Sequence, residues 1–189
     1  MEDGLISISR VNASLTYPCN FMFVASMNPC PCGFYGSKEK ECTCSSQAIQ
    51  RYMGRISGPL LDRIDIQMEV TAVKYQKLEA EDELENSNRI KERVNRARRI
   101  QQERYKENGI YSNAELTPKL VSKYCKLDKE SKVLLQNAFE KLGLSARAHG
   151  RILKVARTIA DLDEEENIKA NHIAEAIQYR SLDKKYWSN

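Results

Sequence analysis

Hydrophobic and polar positions change period once along the chain. Leu5-Ile6-Ser7-Ile8-Ser9-Arg10 alternates, and Ser14-Leu15-Thr16-Tyr17 alternates again, which predicts a β-hairpin with Val11-Asn12-Ala13 as its turn. Phe21-Met22-Phe23-Val24-Ala25 is a continuous apolar run, the pattern of a strand buried on both faces of a parallel sheet. Residues 45–61 carry Ile49, Tyr52, Met53, Ile56 and Leu60 at helical spacing behind a hydroxyl cap, and Gly58-Pro59 breaks the run. Ile64, Ile66, Met68 and Val70 then alternate with Asp65, Gln67 and Glu69, predicting another strand and hence an α/β layer.

Beyond residue 86 the period becomes 3.6. Ile90, Val94, Ala97 and Ile100 form one apolar face, and Leu134, Leu135, Ala138, Phe139 and Leu142 a second. Ala148, Ile152, Val155, Ala156 and Ile159 form a third, with Ile173, Ala174 and Ile177 a fourth. Gly109 and Gly143 stand where helices should end. Residues 76–85 hold five acids and one Lys without period and read as a solvated connector. The expected organisation is an α/β region over 1–80 and a helical bundle over 81–189.

Composition narrows the classes. With 189 residues and 21.7 kDa, a chain this size can bury roughly 70% of its unfolded surface and needs no disulfide scaffold. Mean hydropathy is −0.59 and 30% of residues are charged. No apolar run approaches the ~20 residues a membrane helix needs, and Met1-Glu2-Asp3-Gly4 is unlike a signal peptide. A soluble cytoplasmic protein without membrane contact is expected. The net charge of +4 is too small to imply a nucleic-acid partner by itself.

Four places carry candidate chemistry. Asn28 follows the apolar run, where ligands of open parallel sheets collect; it can orient a water or bond a phosphate, or simply make a turn before Pro29. Arg63, between a helix end and a strand, can offer a planar fork to a neighbouring subunit's nucleotide or pair with Asp62 or Asp65. Cys30 and Cys32, then after nine residues Cys42 and Cys44, can converge on one tetrahedral zinc, or remain thiols or disulfides. Cys19 and Cys125 lie outside these pairs and read as buried small apolar residues. Residues 86–109 hold eight Lys/Arg against three Glu, either a nucleic-acid face or a solvated helix. His149 and His172 have no second ligand at metal spacing and read as surface residues, and no nucleophile–base pair is evident.

Longer motifs carry a resemblance. Glu2-Asp3-Gly4 through Arg10, Tyr17-Pro18, Met27-Asn28-Pro29 and Ser57-Gly58-Pro59-Leu60-Leu61-Asp62-Arg63-Ile64-Asp65 resemble the magnesium-chelatase-like AAA+ ATPases. Leu144-Ser145-Ala146-Arg147-Ala148 and residues 151–162 are similar to that family's C-terminal helical domain. The likeness extends over nearly the whole chain and is strongest to the ComM/YifB type, the competence-associated branch.

The resemblance implies a fold, α/β plus α: part of an AAA+ P-loop core with its presensor hairpin, followed by a C-terminal helical lid. It implies sensor 1 at Asn28, an arginine finger at Arg63 supplied in trans within a ring, expected to be a hexamer, and a sensor 2 arginine at Arg147. It also implies ATP and magnesium in the parent protein and ATP-driven movement on DNA, such as branch migration. The hairpin, residues 5–17, would point into the ring channel with Arg10 near DNA. Arg147, Arg151, Lys154 and Thr158 share a polar stripe suited to a phosphate, although Arg151 and Lys154 also fit a solvated basic face.

None of the eight glycines is followed by Lys, so no phosphate loop is present, and no apolar strand ends in Asp-Glu. The chain is therefore expected to be a C-terminal portion with Met1 as an added start, inactive toward ATP alone. Two other readings remain: a chelatase motor subunit acting on a tetrapyrrole enzyme, and a non-enzymatic zinc-clipped interaction module.

Overall fold

The computed structural model describes residues 4–10, 13–71, 73 and 85–180. The fold is mixed, a two-stranded sheet with seven α-helices among the described residues. It divides into two compact units, Met1–Ile64 and Asp65–Asn189. The predicted connector lies outside the described residues except for Glu85, as do Val11 and Asn12 of the predicted turn.

The first unit opens with the hairpin. Strands β1 (Leu5–Arg10) and β2 (Ala13–Pro18) pair antiparallel, with Ile6 opposite Tyr17 and Ile8 opposite Leu15. On the other face the Ser7 and Thr16 hydroxyls meet at 3.0 Å. The Cys19 N–H donates to the Gly4 carbonyl at 2.6 Å and closes the base. Gly4 is required there: its φ is +61°, and a Cβ would meet Asn20 Oδ1 at 2.6 Å. The side chains of both strands are exposed, so register rests on the ladder and these cross-strand pairs.

The predicted strand at 21–25 does not form. That segment carries no strand assignment, and its side chains are exposed, Phe21 at 60% and Met22 at 89%. A doubly buried strand needs neighbours about 4.8 Å away on both edges, and among the described residues the only strands are β1 and β2, which pair with each other. Helix α1 (Ser46–Met53) begins as expected: the Ser45 hydroxyl accepts from the Ala48 N–H. The chain breaks at 54–57, and α2 (Gly58–Asp62) restarts with Ser57 as cap and Pro59 in its first turn. Among the described residues of this unit the buried apolar side chains are few: Cys30, Met53 and Leu61.

The second unit is helical. It contains α3 (Ser87–Tyr105), α4 (Pro118–Tyr124), α5 (Lys129–Leu142), α6 (Ala146–Leu162) and α7 (Ala170–Gln178). Asn86, Thr117, Asp128 and Ser145 each accept a backbone N–H of the helix they start, satisfying donors that have no intrahelical partner. Gly109 (φ +66°) and Gly143 (φ +53°) adopt the left-handed conformation at helical ends, as predicted. The core gathers on α6: Ile152, Ala156 and Ala160 are fully buried with Tyr105, Ile168 and Ile173. Each fully buried large aliphatic side chain contributes roughly 1.5–3 kcal/mol.

Two patterns came out differently here. Ile90 and Val94 are exposed, and α3 turns Ala97, Gln101 and Tyr105 inward instead. The alternating run at 64–70 is not a strand: the Gln67 N–H donates to the Tyr179 carbonyl at 2.8 Å, but Ile66, Met68 and Val70 stay exposed. Alternation marks two faces; it does not supply the edge to pair with. Among the described residues, no helix is long and apolar enough to cross a membrane.

Candidate functional site

Asn28 lies outside any helix or strand and is exposed. Just beyond it the chain turns: the Gly33 N–H donates to the Cys30 carbonyl at 3.0 Å, and Gly33 takes φ +84°. The Asn28 amide rests against that glycine, with Cγ and Nδ2 each 3.8 Å from where a Cβ would be. A second turn follows, Ser37 N–H to Phe34 carbonyl at 3.0 Å, with Gly36 at φ +79°. Ser37 Oγ accepts from the Glu39 N–H, and Lys40 Nζ sits 4.4 Å above the Phe34 ring.

These turns bring the four predicted cysteines together. Sγ of Cys30 lies 3.3 Å from Cys32 and 3.7 Å from Cys42, Cys32 lies 3.6 Å from Cys42, and all four sulfurs fall within 4.8 Å of one another. Cys30 is fully buried and accepts the Tyr35 N–H at 3.4 Å. The Phe34 N–H foremost pulls the Cys32 thiol down to about 6, against desolvation. Cys42 receives the Cys44 N–H, but desolvation and the neighbouring Cys32 and Cys30 sulfurs reverse that pull and push it up to about 12. One negative sulfur thus makes the next harder to ionise, and a cation among them would relieve this. The cluster can hold a metal. Of the two cysteines outside it, Cys125 is buried as expected, whereas Cys19 is only half-buried.

Arg63 ends α2 in the first unit. It is half-buried, and its guanidinium donates to the Pro59 carbonyl at 2.9 Å, back along its own helix. Arg10 is exposed at the end of β1, opposite Ala13.

In the second unit Arg147 lies in the first turn of α6, behind the Ser145 cap, exposed and without a hydrogen bond or ion pair among the described residues. The rest of its predicted stripe is occupied internally. Arg151 pairs with Asp65 at 2.5 Å, Lys154 donates to the Ala114 carbonyl at 2.8 Å, and the Thr158 hydroxyl donates to the Lys154 carbonyl. The solvated-face reading of Arg151 and Lys154 therefore gives way to internal bonding.

The basic helix α3 divides in the same way. Arg93 pairs with Glu85, Arg96 with Glu164, Arg104 with Asp161 and Lys106 with Glu103. Arg89, Lys91, Arg98 and Arg99 are exposed and unpaired among the described residues.

The largest polar feature was not visible in the sequence. Asp161 is completely buried and accepts both Arg104 nitrogens (3.0 and 2.5 Å), Arg157 Nε (3.2 Å) and Asn113 Nδ2 (2.8 Å). Arg157, itself buried, also donates to the Glu165 and Glu166 carbonyls. Asn113 Oδ1 accepts the Tyr105 hydroxyl, and the Asn113 N–H reaches Gln101. Burial depresses the Arg157 pKa, whereas at Arg104 the Asp161 carboxylate outweighs burial and raises it. The network is saturated and structural; its one local signal is Arg157 and Asp161 at i,i+4 within an apolar helix. His172, expected at the surface, is buried: Nδ1 accepts the Lys169 N–H at 3.0 Å and Nε2 faces Asp163 at 3.2 Å. His149 is exposed, edge-on to Phe139.

Comparison with known proteins finds two family matches along the chain. Residues 1–78 match the family profile "Magnesium chelatase, subunit ChlI", and residues 84–180 match "Magnesium chelatase, subunit ChlI C-terminal". The chain is 43% identical over 183 residues to Competence protein ComM of Haemophilus influenzae, covering 96% of this chain and 35% of that protein. It is 40% identical over 194 residues to YifB of Escherichia coli, covering 97% and 35%. The chain thus spans about a third of the length of the curated relatives it matches.

Proposed function

The chain belongs to the magnesium chelatase ChlI family and is of the ComM/YifB type, and from that premise we propose that it contributes the sensing residues of an ATP-hydrolysing, DNA-remodelling ring. Bound ATP with magnesium supplies the phosphoryl chemistry. This chain's own residues bind and orient. Asn28 offers an uncharged amide to a water or phosphate oxygen. Arg63 presents a planar, permanently charged fork to the nucleotide of a neighbouring copy. Arg147 meets the nucleotide of its own subunit.

The supporting observation is Arg147. A cation in the first turn of a helix is opposed by the positive end of the helix dipole, so the position does not favour the fold. Its stripe neighbours Arg151, Lys154 and Thr158 all bond internally, while Arg147 has no such bond among the described residues. A polyanion such as a triphosphate suits it.

DNA is preferred over a tetrapyrrole enzyme as the object of the motor because α3 leaves Arg89, Lys91, Arg98 and Arg99 exposed without partners among the described residues. The hairpin adds Arg10 to the same side of the argument.

Steady-state ATPase of the full-length parent tests the assignment. Arg63→Ala should lower turnover by roughly 10³-fold or more, the usual weight of an arginine finger. Arg147→Ala should weaken nucleotide use while leaving the melting temperature unchanged. Wild-type turnover in both variants overturns the reading. DNA should stimulate the parent, and Arg98→Glu with Arg99→Glu should steeply reduce that stimulation; stimulation by a protein partner and not by DNA would favour the chelatase-type motor. The isolated chain should not hydrolyse ATP.

A further inference from the structure

We propose that Cys30, Cys32, Cys42 and Cys44 form a tetrahedral tetrathiolate site for zinc(II), and that this site is the mount that holds the Asn28 loop. The first half stands on the cysteine loop alone; the second rests on the role given to Asn28 above.

Geometry leads. Four thiolates at the usual zinc–sulfur distance of about 2.3 Å span tetrahedral edges of about 3.8 Å. The observed sulfur separations of 3.3, 3.6 and 3.7 Å fall slightly below that edge, and the fourth sulfur lies within 4.8 Å of the others. The same separations are far beyond a disulfide bond of about 2.05 Å, so the cluster is not a pair of oxidised bridges.

The chemistry of the donors follows. Four sulfurs with no oxygen or nitrogen ligand select a soft or borderline ion in tetrahedral geometry, which leaves zinc or iron. A closed four-sulfur set with no open position is the structural type of zinc site. The Tyr35 N–H donating to Cys30 Sγ at 3.4 Å is the outer-shell bond that orients a ligating sulfur.

The loop itself supplies the need. Between the two pairs run Lys38, Glu39, Lys40 and Glu41, all exposed, and no apolar cluster lies beneath them. Two turns with left-handed glycines, at Gly33 and Gly36, fold this polar stretch back on itself. Fixing ten or so residues in one conformation costs on the order of 1–2 kcal/mol each in backbone entropy, and exposed polar side chains do not offset that. A metal bridging residues 30 and 44 does.

The mount is equally direct. Gly33 closes the turn that begins at Cys30, and the Asn28 amide lies beside it, 3.8 Å from where a Cβ on that glycine would stand. Metal bound to Cys30 and Cys32 fixes the turn, and the turn fixes the surface on which the Asn28 side chain rests. Asn28 is thereby positioned by the cysteine site without touching the ion.

The test uses the whole chain, purified in a non-thiol reductant and treated with zinc or cobalt alone. Elemental analysis should return one zinc per chain, and cobalt replacement should give the visible absorption of a tetrahedral thiolate complex. Cys44→Ser should lose the metal, whereas Cys19→Ser should keep it. Substoichiometric zinc that added zinc does not raise, iron in its place, or disulfides in fresh reduced protein would overturn the site, and the wild-type measurement decides this even if Cys44→Ser does not fold. For the mount, amide exchange at Gly33 and Tyr35 should accelerate at least tenfold when zinc is removed, and the Asn28 side-chain amide resonance should shift, while α3–α7 do not change. Exchange and resonance unmoved by zinc removal overturn the mount. None of these readouts involves nucleotide, so their failure is separable from failure of the ATPase assignment.

Discussion

In the helical unit, the buried charge network and the apolar core around the Ala146–Leu162 helix find their partners within the unit: Asp161 has four donors, Arg157 spends its nitrogens on Asp161 and two carbonyls, and Ile152 and Ile173 are fully covered. The first unit is built the other way. Among its described residues the buried apolar side chains are Cys30, Met53 and Leu61, while Phe21, Met22, Phe23 and Val24 are exposed. One region is held by a core and the other by backbone turns, a hairpin ladder and a knot of sulfurs. The difference teaches where sensitivity should lie: the helical unit responds to loss of a side chain, the first unit to loss of a ligand.

The largest test removes Asp161. Asp161→Ala leaves buried Arg157 and half-buried Arg104 without their carboxylate, which should cost about 3–5 kcal/mol and abolish the cooperative melt of the helical unit followed by circular dichroism. Next comes a matched pair. Ile152→Ala should destabilise by roughly 2–5 kcal/mol, whereas Met22→Ser should fall within about 0.5 kcal/mol of wild type. Equal losses in denaturant titrations would erase the contrast drawn between the units.

Smaller effects sharpen it. Ser145→Ala removes the cap of α6 and should cost about 0.5–2 kcal/mol, read from the same titration. The smallest concerns acid. The Ser131 N–H holds the Asp128 carboxyl below its ordinary value. Its stabilising contribution is therefore present above the unfolded carboxyl's pKa of about 3.9 and is lost as pH falls through the lower folded value. Asp128→Asn should flatten that acid limb and leave neutral-pH stability little changed; an unaltered acid limb would exclude Asp128 as its source.

Legibility in the sequence follows the range of each interaction. Helices and caps depend on neighbours three or four residues away, so the hydroxyl cap at Ser45 and the helix ends at Gly109 and Gly143 could be read directly. The hairpin is likewise local, and the cysteine cluster needed only its paired spacing. Strands at 21–25 and 64–70 were misread because a strand is defined by what lies beside it, and the segment does not contain that information. Asp161 was missed for the same reason: Arg104 lies 57 residues away and Asn113 lies 48 away.

The apolar ribbon at residues 21–25 has a practical consequence. Phe21-Met22-Phe23-Val24-Ala25 is uncharged, rich in strand-forming side chains and free of proline, and its backbone carries no ladder. Such a stretch is a template for fibril growth whenever two molecules meet edge to edge. Shelf life of the purified polypeptide should accordingly be governed by how crowded the solution is, with turbidity and dye-binding aggregates emerging on concentration long before the helical unit melts.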